Sequence, residues 1–205
     1  MLSACGLENL FDLEIEFMRC VQMSVQSILA EFHLPKLMAL GSGALWLSWA
    51  ESAKKFDKDI MEMIGITPEA GDLWEQYLET STIGVFFREK DWLVAWCNSE
   101  TDDAVQQINE IFLRPTAWDN IHGLNGAAVA FQDETWPPQF AEEVWGVFVA
   151  LVQKCERLAT EHIETWLKRV AKPFLVDFGR RLSDKAKAAE AFKEPLDPSR
   201  AQKAC

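Results

Sequence analysis

Between Pro138 and Pro173 the chain contains no proline and a single glycine, Gly146. Within that stretch Val144, Phe148, Leu151, Cys155, Leu158 and His162 are separated by alternating steps of four and three. Trp145, Val152, Ala159 and Trp166 recur at every seventh position beside them. The pattern predicts one long helix over about 138–172 with a broad apolar face. Straight, it would measure about 52 Å at 1.5 Å per residue. A compact chain of this size is only about 43 Å across. The helix must therefore kink, overhang, or be shared with a second copy in a homodimer. Pro173 is expected to end it, with a basic helix over roughly 174–192 beyond it and a flexible tail over 194–205.

The first half reads as helical too. Apolar positions from Leu7 to Phe32 recur at helical spacing, with Glu8, Asp12, Glu14 and Glu16 near the start where the helix dipole favours acids. Pro35 is read as a stop. A second helix is expected from about Ser42 to Ile64, with Gly65 as a left-handed cap and Ile66 folding back. Thr67-Pro68-Glu69 looks like the start of a short third helix through Trp74, Tyr77 and Leu78. The apolar window 34–50 is broken by Pro35, Lys36, Gly41 and Gly43, so a buried helical hairpin is expected there and not a membrane span.

Residues 82–98 look different. TIGVFF (82–87) is rich in β-branched and aromatic residues, REKD (88–91) is all charge, and WLVAWC (92–97) is again apolar. This predicts an antiparallel β-hairpin, with AAVAFQ (127–132) as a third strand. Trp92, Val94 and Trp96 would then share one face, and Leu93, Ala95 and Cys97 the other. Ser99 to Asp102 resembles a capping box opening a helix from about Glu100 to Leu113. The expected fold is α+β and predominantly helical, one globular domain over 1–193 made of parts 1–80, 81–135 and 138–193. An all-α fold is the alternative.

Charge is unevenly placed. The chain carries −12 overall, from −17 over residues 1–167 and +5 over 168–205. The acidic body repels nucleic acid and anionic lipid. The basic C-terminal patch of Arg180, Arg181, Lys185 and Lys187 could hold either, or lie on the chain's own acidic surface. Five cysteines without a CxxC pair fit reduced thiols and a cytoplasmic protein better than a disulfide framework. The opening MLSACG matches the end of a lipoprotein cleavage site but lacks the basic and apolar segments that should precede it, and is read as coincidence.

No metal site is expected. The histidines His33, His122 and His162 have no second His or Cys at ligand spacing, and His162 lies on the apolar stripe. Gly41-Ser42-Gly43 is neither a phosphate loop nor a nucleophile elbow, and reads as a hinge with Ser42 capping the next helix. Cys97 and His122 could pair only by chance of folding. The richest polar cluster is Trp118, Asp119, Asn120, His122 and Asn125, on a loop where turn-forming and ligand-binding readings compete.

With no evident catalytic site and no implied cofactor, the sequence points away from an enzyme. Nine tryptophans and an acidic body suggest a protein-binding module. It would be an adaptor, regulator or small acidic inhibitor of a partner with a basic surface, using the Trp92, Val94 and Trp96 face. The alternatives are a small-ligand binder or enzyme using the Trp118 loop, and attachment to anionic lipid or nucleic acid through the basic helix.

Overall fold

The computed structural model describes residues 13–67, 71–118, 138–155 and 158–193. The described residues form helices and no β-sheet: α1 Leu13–Ile28, α2 Leu34–Leu40, α3 Gly43–Ile64, α4 Asp72–Glu79, α5 Lys90–Leu113, α6 Gln139–Gln153, α7 Thr160–Trp166 and α8 Lys172–Lys193. The fold is all-helical, which corrects the expected α+β class. The proposed third strand at 127–132 lies outside the described residues.

The hairpin is absent because both of its arms are helical. TIGVFF forms a 3-10 helix, Thr82–Phe87, with Thr82, Ile83, Val85 and Phe86 buried. Its first two amides are held by a carboxylate from α3: the N–H groups of Thr82 and Ile83 donate to Asp57 at 2.8 and 3.0 Å. Trp92 to Cys97 lies in the first turns of α5. The buried face of that helix is Leu93, Trp96, Cys97, Glu100, Ala104, Ile108 and Ile111, a helical recurrence. The fully buried Glu100 interrupts the apolar stripe, so the six-residue run before it reads as a short continuous apolar segment and not as the start of a helix. Ser99 and Asp102 lie inside α5 and cap nothing; the Ser99 hydroxyl donates to the Ala95 carbonyl at 2.8 Å.

The expected long helix is broken rather than overhanging. α6 ends at Gln153, and the N–H groups of Cys155 and Leu158 close tight turns onto Val152 and Cys155. Ala159 is extended, with φ −55° and ψ 143°, before α7 begins. Cys155, Leu158 and Ala159 are buried at this corner, so the stripe is spent on packing around a bend.

Neither expected proline stop holds. A π turn, Leu29–His33, joins α1 to α2, and Pro35 lies in the first turn of α2. A second π turn, Leu167–Ala171, joins α7 to α8, and Pro173 lies in the first turn of α8. In each case the residue before the proline bonds five residues back, Leu34 N–H to Leu29 and Lys172 N–H to Leu167. A proline has no N–H and its ring crowds the carbonyl four residues earlier, here Glu31 or Arg169. One extra residue in the turn accommodates that carbonyl, and the rod continues.

Gly65 caps α3 with φ 68°, and the Ile66 N–H returns to the Met61 carbonyl at 3.1 Å, as expected. Ser42 occupies the capping position of α3, but its side chain makes no capping bond. α4 begins later than expected, at Asp72 behind Gly71; Pro68 and Glu69 lie outside the described residues.

The centre of the core is aromatic. Trp46 of α3, Phe86, Trp96 of α5 and Trp166 of α7 are all buried. Trp96 lies 5.3 Å from Phe86 and 4.5 Å from Trp166, centroid to centroid.

Candidate functional site

The residues singled out in the sequence are dispersed by the fold. Trp92 and Trp96 are one turn apart on α5, not alternate residues on a strand. Trp96 is 0% exposed and presents no surface to a partner. Trp92 and Val94 are half-buried. Of the polar loop, Trp118 is described: it is 40% exposed and packs on Phe112 and Phe140. Asp119, Asn120, His122 and Asn125 lie outside the described residues, and with them the Cys97–His122 pairing.

The basic patch is largely spoken for. Arg180 and Arg181 of α8 both bind Asp177; Arg180 also reaches Asp184 at 3.3 Å, and Arg181 reaches Asn109 of α5. Burial pushes the Asp177 carboxyl up, but bonds from Arg180 and Arg181 outweigh it and hold the group below its ordinary range. Lys185 stands 5.7 Å over the Trp118 ring. Lys187 is exposed.

Two features that sequence reasoning did not single out are better formed. The first is a line of exposed apolar side chains on α1 and its π turn. Leu13, Phe17, Ile28 and Phe32 are 69%, 62%, 50% and 55% exposed. With Cys20 and Ser24 between them they succeed one another in steps of three or four, the spacing of one helix face. The line is about 28 Å long at 1.5 Å per residue. The hydroxyls of Ser24 and Ser27 donate back to the Cys20 and Met23 carbonyls, at 2.8 and 3.1 Å, so they add little polarity to it. The opposite face of α1 carries the buried Gln22 and Gln26. Gln22 donates to Asp57, and Gln26 to the Thr80 and Ser81 carbonyls. The helix is thus anchored on its inner side by these amides and by Ile15, Met18, Val21, Val25 and Leu29 packing on the core, while a second set of large apolar groups faces out.

The second is a groove of about 450 Å³ between α3 and the end of α6, lined by Glu51, Lys54, Lys55, Lys58, Ala150, Gln153 and Lys154. Beneath it lies Glu100 of α5, fully buried, which accepts the Trp96 indole N–H at 2.9 Å and pairs with Lys154. The Lys54 ammonium bonds Glu51 at 3.1 Å and stands 5.5 and 5.9 Å over the Trp96 and Trp166 rings. Burial holds Lys54 below its ordinary range; the Glu100 and Glu51 charges oppose that shift, and Lys154 adds to it. The legible signal was positional. Lys54 and Asp57 fall on the buried stripe of α3 with Trp46, Ala50, Ala53, Ile60 and Met61, where charge is out of place.

Asp57 has a structural role. Besides Thr82 and Ile83 it accepts from Gln22 at 3.0 Å, and its backbone carbonyl accepts the Tyr77 hydroxyl at 2.7 Å. Burial raises its carboxyl despite those bonds. Among the described residues no group of three His, Cys, Asp or Glu is placed to hold a metal ion. No helix among them is long and apolar enough to cross a membrane. Neither a protein-family model, nor a curated protein, nor a solved structure matches this chain.

Proposed function

We propose that the chain is a cytoplasmic protein-binding module, an adaptor or regulator, that engages its partner through the outer face of α1 and its π turn. The observation that carries this is the line of Leu13, Phe17, Ile28 and Phe32. An amphipathic helix normally turns such residues inward, and a row of them left in water marks a face suited to an apolar groove or a second helix. Glu14 and Glu31 are exposed beside the line, and the body around it is acidic. A second copy of the chain would set like charge against like charge across a two-fold contact. A partner whose apolar surface is rimmed by Lys and Arg fits better.

The test is site-specific photocrosslinking in the native cell, with the reactive group at Phe17 or Ile28 and, as control, at Lys187. The expected product is one adduct with a basic protein from the first two positions and none from the third. The purified partner should then bind the chain, and Phe17→Ser with Phe32→Ser should abolish binding without changing helix content. An adduct with a second copy alone, or equal adducts from all three positions, would overturn the reading.

A further inference from the structure

The geometry points to a second site, in the groove between α3 and α6: Lys54 is a carbonyl-reactive amine that takes a small phosphate-bearing aldehyde as a reversible imine. The inference is independent of the apolar face, which lies on other helices.

Four lysines line or border this groove, against the carboxylates Glu51 and Glu100. Lys154 is bound to Glu100, and Lys54 to Glu51. Lys58 pairs with Glu62 at 3.4 Å on the exposed side of α3. Lys55 is exposed and makes no ion pair among the described residues. The pocket therefore has a buried amine at its base and cations at its rim. The acidic body elsewhere would repel an anion, so this basic island is where one would collect. Lysine gives a phosphate a compact point charge, and a lysine withdrawn from water is the residue type that forms Schiff bases. Lys54 meets that condition: it is buried at the base of the groove, and the Lys154 ammonium shares its Glu51 partner at 4.0 Å.

The step balances within the groove. The Lys54 ammonium first passes a proton to Glu51, 3.1 Å away; its Nζ then donates the freed lone pair to the carbonyl carbon, and the carbonyl π pair goes to oxygen. The Lys154 ammonium supplies a proton to that oxygen and recovers one from the nitrogen. Loss of the second nitrogen hydrogen with the oxygen releases one water and leaves the C=N bond. Glu100, fixed by the Trp96 N–H, holds Lys154 in place. Glu51 is a proton acceptor at the rim. Lys55 and Lys58 bind the phosphate.

The experiment treats the intact chain with pyridoxal 5′-phosphate at neutral pH, reduces it with borohydride, and maps the labelled lysines by mass. Label should concentrate on Lys54, roughly tenfold above the exposed Lys172 and Lys187. Unphosphorylated 5-deoxypyridoxal, which has no 5′-hydroxyl to mask its aldehyde, should label Lys54 more slowly. Lys55→Gln with Lys58→Gln should abolish the difference between the two probes while leaving the fold unchanged. Labelling of Lys54 no greater than that of Lys187 would overturn the reactive amine. Equal rates for the two probes on the unaltered chain would overturn the phosphate site. Both readouts come from the natural sequence, so they stand even where a Lys54 substitution fails to fold.

Discussion

The imidazole of His162 lies flat on the ring of Phe87, with centroids 3.9 Å apart and planes within 3°. The contact joins α7 to the 3-10 helix and covers one face of the histidine. Burial lowers its pKa, and the neighbouring Glu161 offsets the shift only in part. The folded state therefore prefers the neutral ring. Stability linked to His162 is complete above the unfolded value of about 6.5 and declines as pH falls below it toward the lower folded value. Melting temperatures of the natural chain and of His162→Gln, followed from pH 7.5 to 5, should diverge least at the acid end. A constant difference across that range would show that the histidine does not titrate with folding.

Asp57 ties four elements together, so its removal should be costly. Asp57→Ala leaves the Thr82 and Ile83 amides and the Gln22 amide without an acceptor. The expected loss is about 3 kcal/mol or more by urea denaturation. Asp57→Asn keeps one acceptor oxygen but turns an amide toward an amide, and should lose less. An alanine variant as stable as the parent would mean that the 3-10 helix does not depend on this carboxylate.

Trp92 and Trp96 separate the observed fold from the hairpin that their spacing suggests. On a strand facing a partner they would be equivalent. On α5 one is sealed and the other half-open. Trp96→Ala should cost about 3–5 kcal/mol, as for a large core deletion. Trp92→Ala should cost about 1 kcal/mol, the ordinary size of a point substitution. Equal costs would argue for the strand.

The misreading of residues 82–98 has a physical origin. Helix α5 places Glu100 on its buried face because the Trp96 indole and Lys154 satisfy it, and neither partner is visible from local spacing. Likewise the turns after Gln153 contain no proline or glycine to announce them; they form because Cys155, Leu158 and Ala159 bury against the rest of the molecule. Where local chemistry decides, the reading was sound: Gly65 and Ile66 end α3 as anticipated, and α5 stops before Pro115. The candidate sites were less legible. The groove assembles Lys54 of α3, Glu100 of α5 and Lys154 from the cap of α6. The outward line on α1 reads in sequence as one more apolar stripe, since periodicity does not say which side is covered.

Cys97 offers a check on the core that needs no substitution. Burial pushes its thiol up to about 12, with Arg169 pulling it down and Glu100 raising it further. Cys20 is exposed. Iodoacetamide at pH 8, with the products mapped by peptide, should modify Cys20 and leave Cys97 intact until denaturant is added, because only the thiolate reacts. Early alkylation of Cys97 would mean that the centre of α5 opens in the native state.

The paired device of a widened turn and a following proline has a consequence for how this chain can change length. Each widened turn holds one residue more than a regular rod would, and that residue keeps everything downstream in phase. Deleting it while the proline stays would close the turn to ordinary pitch and drive the proline ring against the carbonyl four residues back, Glu31 or Arg169. The surplus residue and its proline can therefore be lost only together, and a viable shortened descendant should lack both.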